Sequence, residues 1–128
     1  MKYYNVKKVK GSFEEVIEKT KKELEKEGFG VLTEINVNET FKKKLDIDFR
    51  KYRILGACNA PYAHKALTAE DKVGTMLPCN VIVQETDAGE VEVAAINPIA
   101  SMMAIDNEKL KPIAEEIKNK LDKVIKNL

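Results

Sequence analysis

Cys79-Asn80-Val81-Ile82-Val83-Gln84-Glu85 is followed by Thr86, by Asp87-Ala88-Gly89, and then by Glu90-Val91-Glu92-Val93-Ala94-Ala95-Ile96. Two alternating runs around a short glycine-containing turn are the pattern of a β-hairpin. Val81 and Val83 alternate with Ile82, and Val91 and Val93 alternate with Glu92. Pro98 ends the second run, because proline cannot donate to a ladder. The fold therefore contains an antiparallel pair, and its neighbours in the sequence decide what surrounds it.

Upstream, Tyr52 to Ala57 reads as a third strand, stopping at Cys58-Asn59-Ala60-Pro61. Proline fits the first turn of a helix, where its missing N–H has no partner to lose. A helix through about Ala69 follows. Phe29 to Val37 alternates, with Phe29, Val31, Ile35 and Val37 on one face and Leu32, Glu34 and Asn36 on the other. This predicts a half-buried strand. Phe41 and Leu45, four apart, mark a short helix after Asn38. Residues 2–9 read as another strand. Ser12-Phe13-Glu14-Glu15 is a capping-box sequence. Phe13, Val16, Ile17, Thr20 and Leu24 continue it as one helical stripe, and Gly28 ends the helix by tolerating a left-handed conformation. Downstream, Leu110, Ile113, Ala114, Ile117, Leu121, Val124, Ile125 and Leu128 make a sustained apolar helix face, with Pro112 in its first turn. The expectation is an α+β fold: a mainly antiparallel sheet of about five strands packed against helices, two-layer and sandwich-like, in one domain spanning 1–128.

The 128 residues are enough for a core that needs neither disulfide nor metal. The net charge of +1 does not favour a nucleic-acid or membrane-surface partner. No apolar run approaches the roughly 20 residues of a membrane helix. The first residues alternate like a strand and lack the apolar stretch of a signal peptide. A cytoplasmic protein with two free thiols is expected. Charge is unevenly spread: residues 56–105 carry only eight charged side chains, against 35 in the other 78 residues. Central strands explain part of this. The loops Gly74-Thr75-Met76-Leu77-Pro78 and Asn97 to Ala104 are also almost uncharged, and they hold three methionines. Loops normally face water, so apolar ones point to covered surface, under a small ligand or a second subunit.

Chemistry-bearing residues are few. Cys58 and Cys79 are too far apart in sequence for a CxxC motif. They share one end of the sheet if their strands are antiparallel neighbours, and lie at opposite ends if a parallel crossover joins them. Each is equally readable as a small buried hydrophobe. Cys58 precedes a helix N-terminus, which favours a thiolate, so it is expected to react faster than Cys79. Asn59 is placed to cap that helix. Asn80, at a strand start, is either a structural brace or a ligand contact. His64 is the only histidine. With Cys58, Cys79 and Met76 it would form a soft-metal set if the four converged, although nothing in the spacing requires a metal. Glu34 is the one interior-looking carboxylate of its strand. No phosphate loop, nucleophile elbow or hydrolase triad is present. Lys42-Lys43-Lys44 reads as a solvated helix face.

The stretches Gly56-Ala57-Cys58-Asn59-Ala60-Pro61-Tyr62-Ala63-His64-Lys65-Ala66-Leu67 and Leu77-Pro78-Cys79-Asn80-Val81 resemble the family catalogued as domain of unknown function 302. Glu27 to Ile35 and Asn97-Pro98 are similar to it as well. The resemblance runs over nearly the whole chain in the same order. Ala60 stands where members often carry a second proline, and Asn36 where they often carry aspartate. The resemblance implies a compact α+β fold and a dimer, and it implies no activity. Its motif residues fall on Glu34, Gly56, Cys58, Asn59, Cys79 and Asn80. Three readings remain open. The first is a small-ligand-binding domain, handling thiol, sulfur or a soft metal, with its site at Cys58, Asn59, His64, Cys79, Asn80 and Glu34. The second is a thiol redox enzyme using Cys58 and Cys79. The third is a dimerisation module whose cysteines are packing.

Overall fold

The structure, a computed structural model, describes residues 1–128. Five strands, β1 (Tyr4–Val9), β2 (Gly30–Asn36), β3 (Tyr52–Cys58), β4 (Cys79–Glu85) and β5 (Val91–Ile96), form one sheet in the order β1-β5-β4-β3-β2. Every neighbouring pair is antiparallel. The helices are α1 (Phe13–Lys26), α2 (Val37–Leu45), α3 (Ala60–Ala69), α4 (Pro98–Met102) and α5 (Leu110–Lys126), with a 3₁₀ turn at Asp71–Met76. The expected α+β architecture is observed.

Helices α1 and α5 cover one face of the sheet. The apolar stripe read for α1 is buried at Phe13, Val16, Ile17, Thr20 and Leu24. Ser12 caps the helix by accepting from the Glu15 N–H at 3.2 Å. Buried Thr20 returns its hydroxyl to the Val16 carbonyl, so the stripe leaves no polar group unmatched. The α5 stripe contributes Ile117, Leu121, Val124 and Ile125. Against these pack Leu55, Ala57, Val81, Val83, Val91, Val93 and Ala95, which the strand alternation places on a single side. No helix is long and apolar enough to cross a membrane.

Strand β2 departs from the alternation expected for it. The pairing shifts between Val31, opposite Ala57, and Thr33, opposite Gly56, so Leu32 is an extra residue. One extra residue exchanges the two faces of everything after it. Glu34 therefore joins the α1 side and Ile35 the uncovered side, instead of Val31 and Ile35 sharing one. Val37 opens α2 instead of ending the strand. A bulge is tolerated here because β2 is an edge strand.

Candidate functional site

Strand β3 runs into α3 through Cys58 and Asn59, and β4 begins at Cys79 after the 3₁₀ turn. Ala57 stands opposite Cys79, so antiparallel pairing brings both cysteines to the same end of the sheet. There they border one cavity of about 290 Å³. Its floor is Phe29, Ala57 and Ile117, and its walls come from α3 (Tyr62, Ala66), from Leu77 and Pro78, and from Met102. Both charge-poor loops contribute to it, and no charged side chain lines it. A space of this kind takes apolar matter, with a few polar groups fixing its orientation.

The residues of the lining that carry polar side-chain atoms are Cys58, Cys79, Tyr62 and Asn59. Cys79 is partly buried and on the helix-covered side. Burial pushes its thiol from 9.0 up to about 11, and neighbouring Cys58 adds to the shift by charge repulsion. Both cysteines are unpaired in the structure.

Asn59 does not cap its own helix, contrary to the sequence expectation. Its side chain makes no bond to the α3 N-terminus. Instead its Nδ2 donates at 3.1 Å to the carbonyl of Glu27, the last residue of the α1 turn. A helix end leaves carbonyls without partners, and this amide satisfies one of them. The next residue, Gly28, has φ of 86°, and a Cβ there would sit 3.2 Å from that same Nδ2. Asn59 thus ties α1 to the cavity wall through a position where only glycine fits without strain. Gly56 is required for a different reason: a Cβ on it would collide with Thr33 Oγ1 and lie 2.9 Å from Pro78 Cγ.

The remaining residues singled out from the sequence lie elsewhere. His64 is exposed on α3 and does not border the cavity, and neither does Met76, so the four soft ligands do not converge. No three His, Cys, Asp or Glu side chains are arranged so that they could hold a metal ion. Asn80 follows Cys79 by one residue and therefore faces the other side of the sheet, beside Ile82, Tyr4 and Ile96. Glu34 sits near α1, where its carboxylate accepts from Lys21 Nζ at 2.8 Å and lies 3.6 Å from the Arg53 guanidinium. It is a structural ion pair, remote from the thiols. Met102 and Tyr62 belong to the cavity and escaped the sequence reading. Met102 was flagged only as part of an uncharged loop, and Tyr62 only as a member of the Gly56 to Leu67 stretch.

The family model for "Domain of unknown function DUF302" matches residues 5–128. The chain belongs to the DUF302 family. A solved DUF302 structure, the uncharacterized conserved protein from Bacillus stearothermophilus, superposes with a TM-score of 0.91 at 28% identity, covering 98% of both chains. An uncharacterized protein of Aquifex aeolicus (strain VF5) is 35% identical over 69 residues, 54% of this chain. The match spans 47% of that relative's own length. The solved DUF302 structure shares its fold with the chain.

Proposed function

We propose that this DUF302 domain binds a small, uncharged, largely apolar molecule in the cavity at the end of the sheet, with Cys58 and Cys79 beside it. The observation that carries this reading is the cavity itself: about 290 Å³, bordered by both cysteines and Asn59 and by no charged side chain. An ion would lose its hydration there with nothing to compensate it, whereas an apolar ligand gains by leaving water. Of the two Cys-Asn motifs, Cys58-Asn59 and Cys79 serve the cavity, and Asn80 does not. We also read the chain as cytoplasmic, because two unpaired thiols suit a reducing compartment, and as a homodimer, because one face of its sheet carries apolar side chains and no helix.

Titration with the neutral fluorophore N-phenyl-1-naphthylamine tests the ligand reading. The probe is expected to bind one per chain, to slow alkylation of Cys58, and to be lost from Ala63→Trp, which fills the cavity from α3. Binding that is absent, or unchanged in that variant, would refute it. A thiol redox pair is the second reading, favoured by the register that sets Ala57 opposite Cys79. It predicts loss of two hydrogens from the intact chain under diamide, with the two sulfurs linked; a mass that stays unchanged excludes it.

A further inference from the structure

Only two polar side chains are buried in this chain, Thr20 and Asn59. Thr20 turns its hydroxyl onto a carbonyl of its own helix. Asn59 is matched on one side only. It is 7% exposed, and its Nδ2 donates to the Glu27 carbonyl at 3.1 Å. A carbonyl can only accept, so this bond fixes which way round the amide sits, with nitrogen toward Glu27 and oxygen away from it. The oxygen, Oδ1, is left without a donor. It takes none from the α3 N-terminus, where a capping asparagine would find one, and none from a thiol or hydroxyl of the chain.

Yet Oδ1 is not sealed in. No enclosed side-chain nitrogen or oxygen of the chain lacks a partner. An unpartnered oxygen on a buried residue must therefore touch open space, and the open space that Asn59 borders is the cavity beside Cys58 and Cys79. The walls there are apolar, with Phe29, Ala57, Leu77 and Ile117 among them. An acceptor in such surroundings loses more by going unbonded than it would in water. A ligand that displaces water from the cavity must offer this oxygen a donor or forfeit its bond.

We propose that Asn59 Oδ1 is the specificity-determining acceptor of the cavity, and that the ligand is a neutral apolar molecule carrying one O–H or N–H, such as a phenol, an apolar alcohol or an aryl amine. This rests on the ligand reading above and names the chemical class. The other groups of the lining do not take the role. Burial keeps the Cys79 thiol protonated at neutral pH, so it offers a weak S–H and no anion. With no charged side chain in the lining, a charged donor would lose its hydration without a counter-charge. At about 290 Å³ the space is at the small end of ligand pockets, so one anchoring bond sets the ligand's orientation. The Glu27 bond also holds the acceptor in place before any ligand arrives, so no Asn59 rotamer has to be frozen on binding.

Competition against N-phenyl-1-naphthylamine, which itself carries one N–H, tests this on the full chain. 1-Naphthol and 1-methylnaphthalene have nearly the same shape. The methyl compound is the more apolar, so burial alone would favour it. 1-Naphthol is instead expected to displace the probe at a concentration at least about fivefold lower, which is what one net hydrogen bond contributes. The carbon-13 resonance of the Asn59 side-chain carbonyl is expected to move downfield with 1-naphthol and to move less with 1-methylnaphthalene. Asn59→Leu is expected to reverse the preference. That variant also releases the Glu27 carbonyl, so if it fails to fold, the wild-type ratio and the resonance decide. Equal or inverted displacement, a carbonyl resonance that ignores bound 1-naphthol, or a preference that survives in folded Asn59→Leu would overturn the acceptor role and leave the cavity reading standing. No binding of the probe at all would remove both.

Discussion

A single step along β3 and β4 separates residues with unlike fates. Cys79 faces the core side and Asn80 the opposite side, so two adjacent members of one motif cannot serve one site. Cys58 and Cys79 share a cavity but differ in environment. A thiol held at about 11 is about a hundredfold poorer in thiolate at pH 8 than one at 9.0. Cys58 lies at the end of β3, just before α3. Mass-resolved alkylation with iodoacetamide at pH 8 is therefore expected to label Cys58 at least tenfold faster than Cys79. The Cys79 rate should still be climbing at pH 10. Equal rates, or Cys79 labelled first, would contradict the burial argument.

Elements were legible wherever periodicity was strong. The α1 and α5 stripes, the α3 start at Pro61 and the β4–β5 hairpin all follow from spacing and turn chemistry. Strand β2 was not, because a bulge leaves no trace in a sequence that alternates on either side of it. The cavity was legible only as a region. Uncharged loops announced covered surface, but the meeting of Met102 and Tyr62 with the strand ends is a tertiary event. Asn59 was misread because the local capping rule competes with a partner 32 residues away, the Glu27 carbonyl. The close packing of β2 on β3 gives its own prediction. Gly56→Ala would drive a methyl into Thr33 Oγ1 and the Pro78 ring, and such overpacking costs on the order of 1–3 kcal/mol. Urea unfolding should show a lowered midpoint at unchanged slope. If the midpoint is preserved, the approach of β2 to β3 is looser than described.

For the whole molecule, the perturbed groups agree in sign. Cys79 has a folded value raised to about 11 from 9.0, chiefly by burial. Lys21 is raised chiefly by its hydrogen bond to Glu34, and Lys8 by its bond to Glu90. In each case the folded chain holds its proton longer than the unfolded chain does, so stability is complete below the unfolded value and declines as pH rises. The unfolding free energy is expected to fall between pH 9 and 11, with Cys79 accounting for an amount on the order of 2 kcal/mol. Cys79→Ala should flatten that limb. A limb of the same steepness in the variant would assign it to other groups. The bulge in β2 has a consequence at this scale too. An open sheet ordinarily invites further strands at its margins, and endless stacking follows. Here one margin is kinked by Leu32 and the other carries Lys8, already engaged with Glu90. Both margins are therefore poor templates for another strand, and strand-by-strand stacking is disfavoured.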